Sequence, residues 1–326
     1  MSRLNLLISS AIAALVACST GPSIPQACND LAVAQCAQLD SCRHELVEIE
    51  YGDDATCIER RAASCNSALS SDATGQNAQY TEACAAALPG QACEDYLEGG
   101  TPDACLTHAG LGAIGDDCAF NSQCDSTFCA TDATDQCGSC APVPVIGDEC
   151  EDQGCGHDLA CSADKICVSW NQIGAGCDID DPCVPGATCV IANGATSGRC
   201  IADGAAIGAA CDSTAKTAPL CDPNLGLWCN TTTSACTAIE YVAAGERCGV
   251  FNGDHSVCTG ATSCHGSPAT CMPLADEGQA CDTALGPTCM APDHCVTDGV
   301  DTAGTCLMPN ADTCAPIIDD GGLVSD

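Results

Sequence analysis

Thirty-five of the 326 residues are cysteine, and no other side chain with chemical reactivity is concentrated in this way. A thiol can ligate zinc, exchange electrons, carry an acyl chain or pair with another thiol, so spacing and compartment decide which chemistry applies. From Gly115 to Cys306 one spacing is written six times: a glycine, two residues, a cysteine, then three more cysteines. The openings are Gly115/Cys118, Gly147/Cys150, Gly174/Cys177, Gly208/Cys211, Gly245/Cys248 and Gly278/Cys281. Self-similarity at a period of roughly 20–50 residues indicates an array of small units, each too short to bury a core alone.

Other reactive constellations fall short of their chemistry. Cys137-Gly138-Ser139-Cys140 has the spacing of a redox dithiol, but Pro142, Pro144 and Gly147 follow where a helix should start, so structural disulfides are expected. His44-Glu45-Leu46-Val47-Glu48 lacks the second histidine of a zinc protease helix and reads as an exposed face with polar residues four apart. Arg60-Arg61 also reads as helix surface. Asp178 to Asp181 lacks the glycine and terminal glutamate of a calcium loop. The histidines at 44, 108, 157, 255, 265 and 294 are dispersed, and Asn230-Thr231-Thr232 is treated as a chance glycosylation match. Neither a nucleophile with its base nor a phosphate-binding loop is found. The expectation is a non-catalytic protein without cofactor or metal.

Cysteine makes up about 11% of the chain, above the roughly 8–10% that marks a disulfide scaffold. Aromatics supply only 3%. With 44 acidic against 8 basic residues the net charge is -36, which excludes nucleic acid and other polyanions as partners and opposes compaction. Covalent staples must offset both deficits.

Met1 to Ala17 carries Arg3, an apolar run and no acid, the layout of a secretory signal peptide too short for a stable span. The run ends Leu15-Val16-Ala17-Cys18, which resembles the lipobox of bacterial lipoproteins. That resemblance implies cleavage before Cys18, lipid on its sulfur and new amino group, and firm attachment to a membrane. Ser19 stands where aspartate is the family's usual inner-membrane retention mark, which points to the outer membrane or cell surface. Taking Cys18 from 35 leaves 34 cysteines, an even number that allows 17 disulfides in an oxidising compartment. Residues 18–27 read as the lipidated cysteine and a tether.

Residues 28–109 form a helical domain with cysteines at 28, 36, 42, 57, 65, 84, 93 and 105. Asn29 or Asp30 is expected to cap a helix through Val47, Asp53 or Asp54 a second through Leu69, and Asn77 to Leu88 is a third, with breaks at Gly52 and Pro89-Gly90. Two antiparallel helices joined near Gly52 would set Cys36 opposite Cys65 and Cys42 opposite Cys57. Eight cysteines permit 105 connectivities, and spacing selects none of them.

The array spans 110–314, ahead of an acidic tail at 315–326. Its first unit reads Cys118-x5-Cys124-x4-Cys129-x7-Cys137-x2-Cys140 and resembles the N-terminal cysteine-rich region of Dickkopf proteins. The later units match more loosely. The resemblance implies crossed bridges, Cys118 with Cys129 and Cys124 with Cys137, and in the third unit Cys177 with Cys189 and Cys183 with Cys200. Cys140 and Cys314 are then left over. Six to eight residues separate each unit from the next glycine. Their apolar members (Val145-Ile146, Ile173, Ile207, Val242-Ala243) are expected to pack on the neighbouring unit, giving a rod. The fold class is thus small and disulfide-rich: an eight-cysteine helical domain, then an extended array of about six loop-rich units with short hairpins. The functional expectation is a lipid-anchored, extracytoplasmic structural or binding module that meets the membrane through Cys18 and an extracellular protein elsewhere. An inhibitor or receptor modulator is the alternative, and an enzyme the remote one.

Overall fold

A computed structural model describes residues 21–131, 135–150, 155–156, 159–178, 182–298 and 301–314. The signal segment, Cys18 and the acidic tail lie outside the described residues. The described residues open with four α-helices: α1 Ile24–Glu50, α2 Asp54–Ser70, α3 Ala78–Ala87 and the short α4 Cys93–Leu97. Small sheets follow, antiparallel except where Glu240–Val242 pairs in parallel with Asp254–Cys258, and held by disulfides.

Side-chain caps fix the starts of the first three helices. Asp53 accepts from the Thr56 amide at 2.8 Å, and Asn77 from those of Gln79 and Tyr80. α1 starts earlier than the sequence suggested. Ser23 is its N-cap and Pro25 lies in its first turn, so the expected tether is helical from Ile24. Proline is tolerated there because the first amides have no intrahelical acceptor. At Arg43 the backbone leaves helical geometry (φ -161°, ψ 89°), and the last two turns of α1 change direction.

That kink corrects the expected bridges. Cys36 pairs with Cys57 and not with Cys65, which takes Cys28 instead. The two bridges are nested along the α1–α2 pair, but the hairpin closes deeper in α1 than a turn at Gly52 implied. Cys42, beside the kink, reaches Cys93 at the start of α4 and not Cys57. Cys84 pairs with Cys105. A small core forms around Cys36, Leu39, Val47, Tyr51 and Cys57, with Leu46, Ile58, Tyr96 and Leu97 packed against it.

In the sheet region each set of four cysteines is crossed. Cys118 bonds Cys129, Cys150 bonds Cys161 and Cys155 bonds Cys167. Cys177 bonds Cys189 and Cys183 bonds Cys200. The pairs Cys211/Cys229, Cys221/Cys236, Cys248/Cys264, Cys258/Cys271, Cys281/Cys295 and Cys289/Cys306 complete the pattern. One expectation fails: Cys124 pairs with Cys140, not Cys137, and Cys137 pairs with Cys314.

The reason is a backbone clamp common to all six sets. The opening glycine donates its N–H to the carbonyl of the fourth cysteine (Gly115 to Cys140, Gly174 to Cys200, Gly278 to Cys306), and the fourth cysteine donates back to the residue after the glycine. Cys140 alone meets both requirements in the first set. The glycine occupies a turn that needs a positive φ, from 78° at Gly278 to 93° at Gly115 and Gly147. The residue just before it sits at the turn's corner. Val145, Ile146, Ile173 and Ile207 are therefore 59–73% exposed and do not pack on a neighbouring unit. Val242 does pack against Cys248, Cys258 and Cys271.

The units do not form a free rod. Gly75 donates to Ser122, and Gln123 Nε2 donates to Asp72, which fixes the first set to the loop before α3. Arg43 donates to the Pro223 carbonyl and to Tyr241 Oη, and the Ala261 amide donates to the Glu48 carbonyl near the end of α1. Ala291 packs into the helical core, and Ser67 donates to Pro309. The Cys137–Cys314 bridge then ties the last described residue to the first set, across a sequence separation of 177. The sheet region runs around the helices and closes on itself.

Candidate functional site

The residues singled out for chemistry are mostly committed to structure. His44 is exposed between Asp40 and Glu48, and the hydrogen bond and charge of Asp40 raise its pKa. Cys137 and Cys140 are bonded to different partners, so the C-x-x-C motif is not a dithiol. Clusters of sulfurs such as Cys118, Cys124 and Cys129 have the proximity of metal ligands, but each sulfur is in a disulfide and cannot act as a thiolate. Asn230 is buried, donating to Asp254 Oδ1 at 2.7 Å and accepting from the Thr232 and Thr233 amides. Its amide is structural. The acidic stretch from Asp178 falls partly outside the described residues.

Arg60 and Arg61 are not the plain helix surface expected of them. Arg60 reaches into the sixth set, where Nη2 lies 2.6 Å from Asp293 Oδ2 and also donates to the Met290 carbonyl. The Asp293 side chain is fully buried. Arg61 turns the other way, over the Tyr51 ring at 5.5 Å and toward Glu50, and lines a cleft of about 530 Å³ on the helical hub. The available signal was their rarity: an arginine pair in a chain with 8 basic residues among 326 has work to do.

All four helices and a loop line this cleft, α2 through Arg61 and α4 through Tyr96 and Leu97. α1 contributes Leu31, Gln35, Leu39, Leu46 and Glu50. α3 and the turn after it contribute Tyr80, Thr81, Leu88 and Gln91, and the loop Gly99–Pro102 forms the rim. Tyr80 stacks on His108 with centroids 3.7 Å apart, and Tyr96 Oη donates to the Gln35 carbonyl. Burial raises the pKa of both Tyr51 and Tyr96, against the pull of Arg61. A broader depression of about 970 Å³ lies on the other side of the rim, between α4 and the second and third sets, with Trp170, Val184 and Pro185 on its far wall. Both depressions are open to solvent and mix polar and apolar lining in comparable measure.

Fold and site together define a disulfide-stapled ring of small sheets around a helical hub with an open cleft. No family model, curated protein or solved structure matches the chain. No helix among the described residues is long and apolar enough to cross a membrane.

Proposed function

We propose that this is a lipid-anchored, extracytoplasmic, non-catalytic binding module: six crossed-disulfide units brace a helical hub, and the hub's cleft serves as the binding surface. The carrying observation is that all 34 cysteines after Cys18 are paired, in 17 bridges. A chain so dependent on oxidised thiols works outside the cytoplasm. Leaving Cys18 as the single cysteine outside that scheme supports its use for lipid, and Leu15-Val16-Ala17-Cys18 supplies the processing signal. The short segment from Cys18 to the Ser23 cap would hold the hub close to the membrane, facing a soluble or surface partner. The test is mass spectrometry of the N-terminal peptide from membranes, together with cross-linking on intact cells. Cleavage before residue 18 with diacylglyceryl on its sulfur is expected, and an unmodified Cys18 in the processed protein would overturn the anchor.

A further inference from the structure

The hub cleft sets opposite charges side by side, one from α1 and one from α2. Arg61 Nη2 and Glu50 Oε2 stand 3.9 Å apart, beyond hydrogen-bond length, and their side chains remain 26% and 39% exposed. Arg61 Nε is buried without a hydrogen-bond partner, and the guanidinium is held from behind by the Tyr51 ring. Gln91 lines the same cleft with a buried Oε1 that also lacks a partner, its Nε2 being committed to the Gly100 carbonyl at 2.7 Å. Leu97 lines the same cleft, with Leu39 and Leu88 behind it, each only 5% exposed.

We propose that the cleft binds a free α-amino acid with an apolar side chain, its carboxylate on Arg61, its ammonium on Glu50, and its side chain along the cleft toward Leu97 and Gln91. This deepens the binding-module reading and rests on it. A simple carboxylate would meet the long-range repulsion of a chain with net charge -36, whereas a zwitterion is neutral overall. Its two charges sit on one carbon, matching a pair 3.9 Å apart, and binding exchanges that long contact for charge-assisted hydrogen bonds. A peptide carries its charges at opposite ends and does not match. The volume of about 530 Å³ falls within the roughly 300–1,000 Å³ of small-molecule sites.

Calorimetric titration of the oxidised mature protein with L-phenylalanine, L-leucine and L-tryptophan tests the assignment. At least one should bind saturably, and its glycine, N-acetyl and decarboxylated counterparts should bind about tenfold more weakly or worse, the loss expected for one charged hydrogen bond or for the side chain's burial. Glu50→Gln and Arg61→Gln should each reduce binding to a similar degree. Because Arg61 also packs on Tyr51, a second variant guards against misfolding: Thr101→Trp, on the exposed rim, should block the cleft and abolish binding while the hydrogen-exchange pattern of the hub is kept. Absence of saturable binding by all three amino acids overturns the proposal, as does equal affinity for N-acetyl-phenylalanine or for a dipeptide, or undiminished binding in Thr101→Trp. If Cys18 is lipidated and a surface partner cross-links while amino acids fail to bind, only the ligand assignment falls.

Discussion

Asp293 and Arg60 show how much a single side chain carries in a protein with so little core. The carboxylate is fully buried and the guanidinium nearly so. Removing one partner strands a charge in a low-dielectric site, a loss of about 3–5 kcal/mol. Arg60→Ala should therefore detach the sixth set from α2, read as faster amide exchange over residues 281–306, while the paired replacement Arg60→Met with Asp293→Leu should restore most of the protection. Glycines separate two further effects at this scale. Gly208 has φ 84° with open space around its Cα, so Gly208→Ala strains only the backbone, by about 1–2 kcal/mol. Gly198 has an ordinary φ, but a Cβ there would sit 2.1 Å from the Val190 carbonyl oxygen. Gly198→Ala should thus be the more damaging change, opening the strands Ala187–Val190 and Gly198–Ala202 to exchange. The same glycine was a legible clue. Gly138-Ser139-Cys140 repeats Gly198-Arg199-Cys200 and Gly304-Thr305-Cys306, and this spacing marks Cys140 as the fourth cysteine. The Dickkopf resemblance implied Cys137 instead.

Among elements, the starts of α2 and α3 follow from local signals. Asp53 and Asn77 cap their helices because a short polar side chain before an apolar run satisfies free amides wherever the rest of the chain lies. α1 begins ahead of the expected cap because a proline such as Pro25 is compatible with a helix's first turn. Its kink was not legible: Arg43 lies mid-helix, and what it gains by leaving helical geometry is contact with Pro223 and Tyr241, some 180 residues away. Arg43→Ala removes those bonds and should relax the kink. The expected outcome is faster exchange at residues 222–242, with α2 and α3 unchanged, measured by peptide-resolved hydrogen exchange. The turns before each first cysteine taught a related lesson. A hydrophobic residue beside a glycine suggests packing, but the turn that the glycine imposes places Ile146, Ile173 and Ile207 at corners, where their side chains face water.

For the whole molecule, the sequence made compartment and stapling legible and left closure hidden. Repeats with regular linkers suggest a one-dimensional array in which each unit answers only to its neighbours. The hub changes that expectation, since units far apart in sequence contact the same helices and Cys137–Cys314 closes the circuit. Joint replacement of Cys137 and Cys314 by serine should leave each crossed pair intact yet loosen both ends of the ring at once, with added exchange near Ser122 and Pro309 and little change at Cys211–Cys236. Loosening confined to one end would show that the bridge contributes nothing beyond its own neighbourhood.

Acidity acts on the same closure, because carboxylates meet where the sheets cross the hub. Glu98 on the rim has its pKa raised by burial, then by Glu94, Asp222 and Asp95, and Asp203 has its own raised by burial and by Asp222, against a hydrogen bond from Thr188. An acid whose folded pKa lies above its unfolded value favours the folded state while protonated, so stability is lost as pH rises through the window between the two values. His44 adds to this trend: its raised pKa gives a contribution complete below about 6.5 and lost as pH rises through the folded value. Asp53, Asp212 and Asp282 act oppositely. Hydrogen bonds from nearby Thr, Leu and Ala residues hold their pKa values down, so their contribution is present above about 4 and disappears as pH falls through the lowered values. With most of 44 carboxylates also repelling one another near neutrality, the balance places maximum stability in mildly acid solution. Thermal midpoints of the oxidised protein should rise as pH falls from 7 toward about 4.5 and drop again below about 3.5. Glu98→Gln combined with Asp203→Asn should make the upper limb shallower, His44 and the general repulsion supplying the rest, and leave the lower one in place. A midpoint that peaks at pH 7 or above in the native protein would mean that these carboxylates are not crowded against the hub as the structure places them.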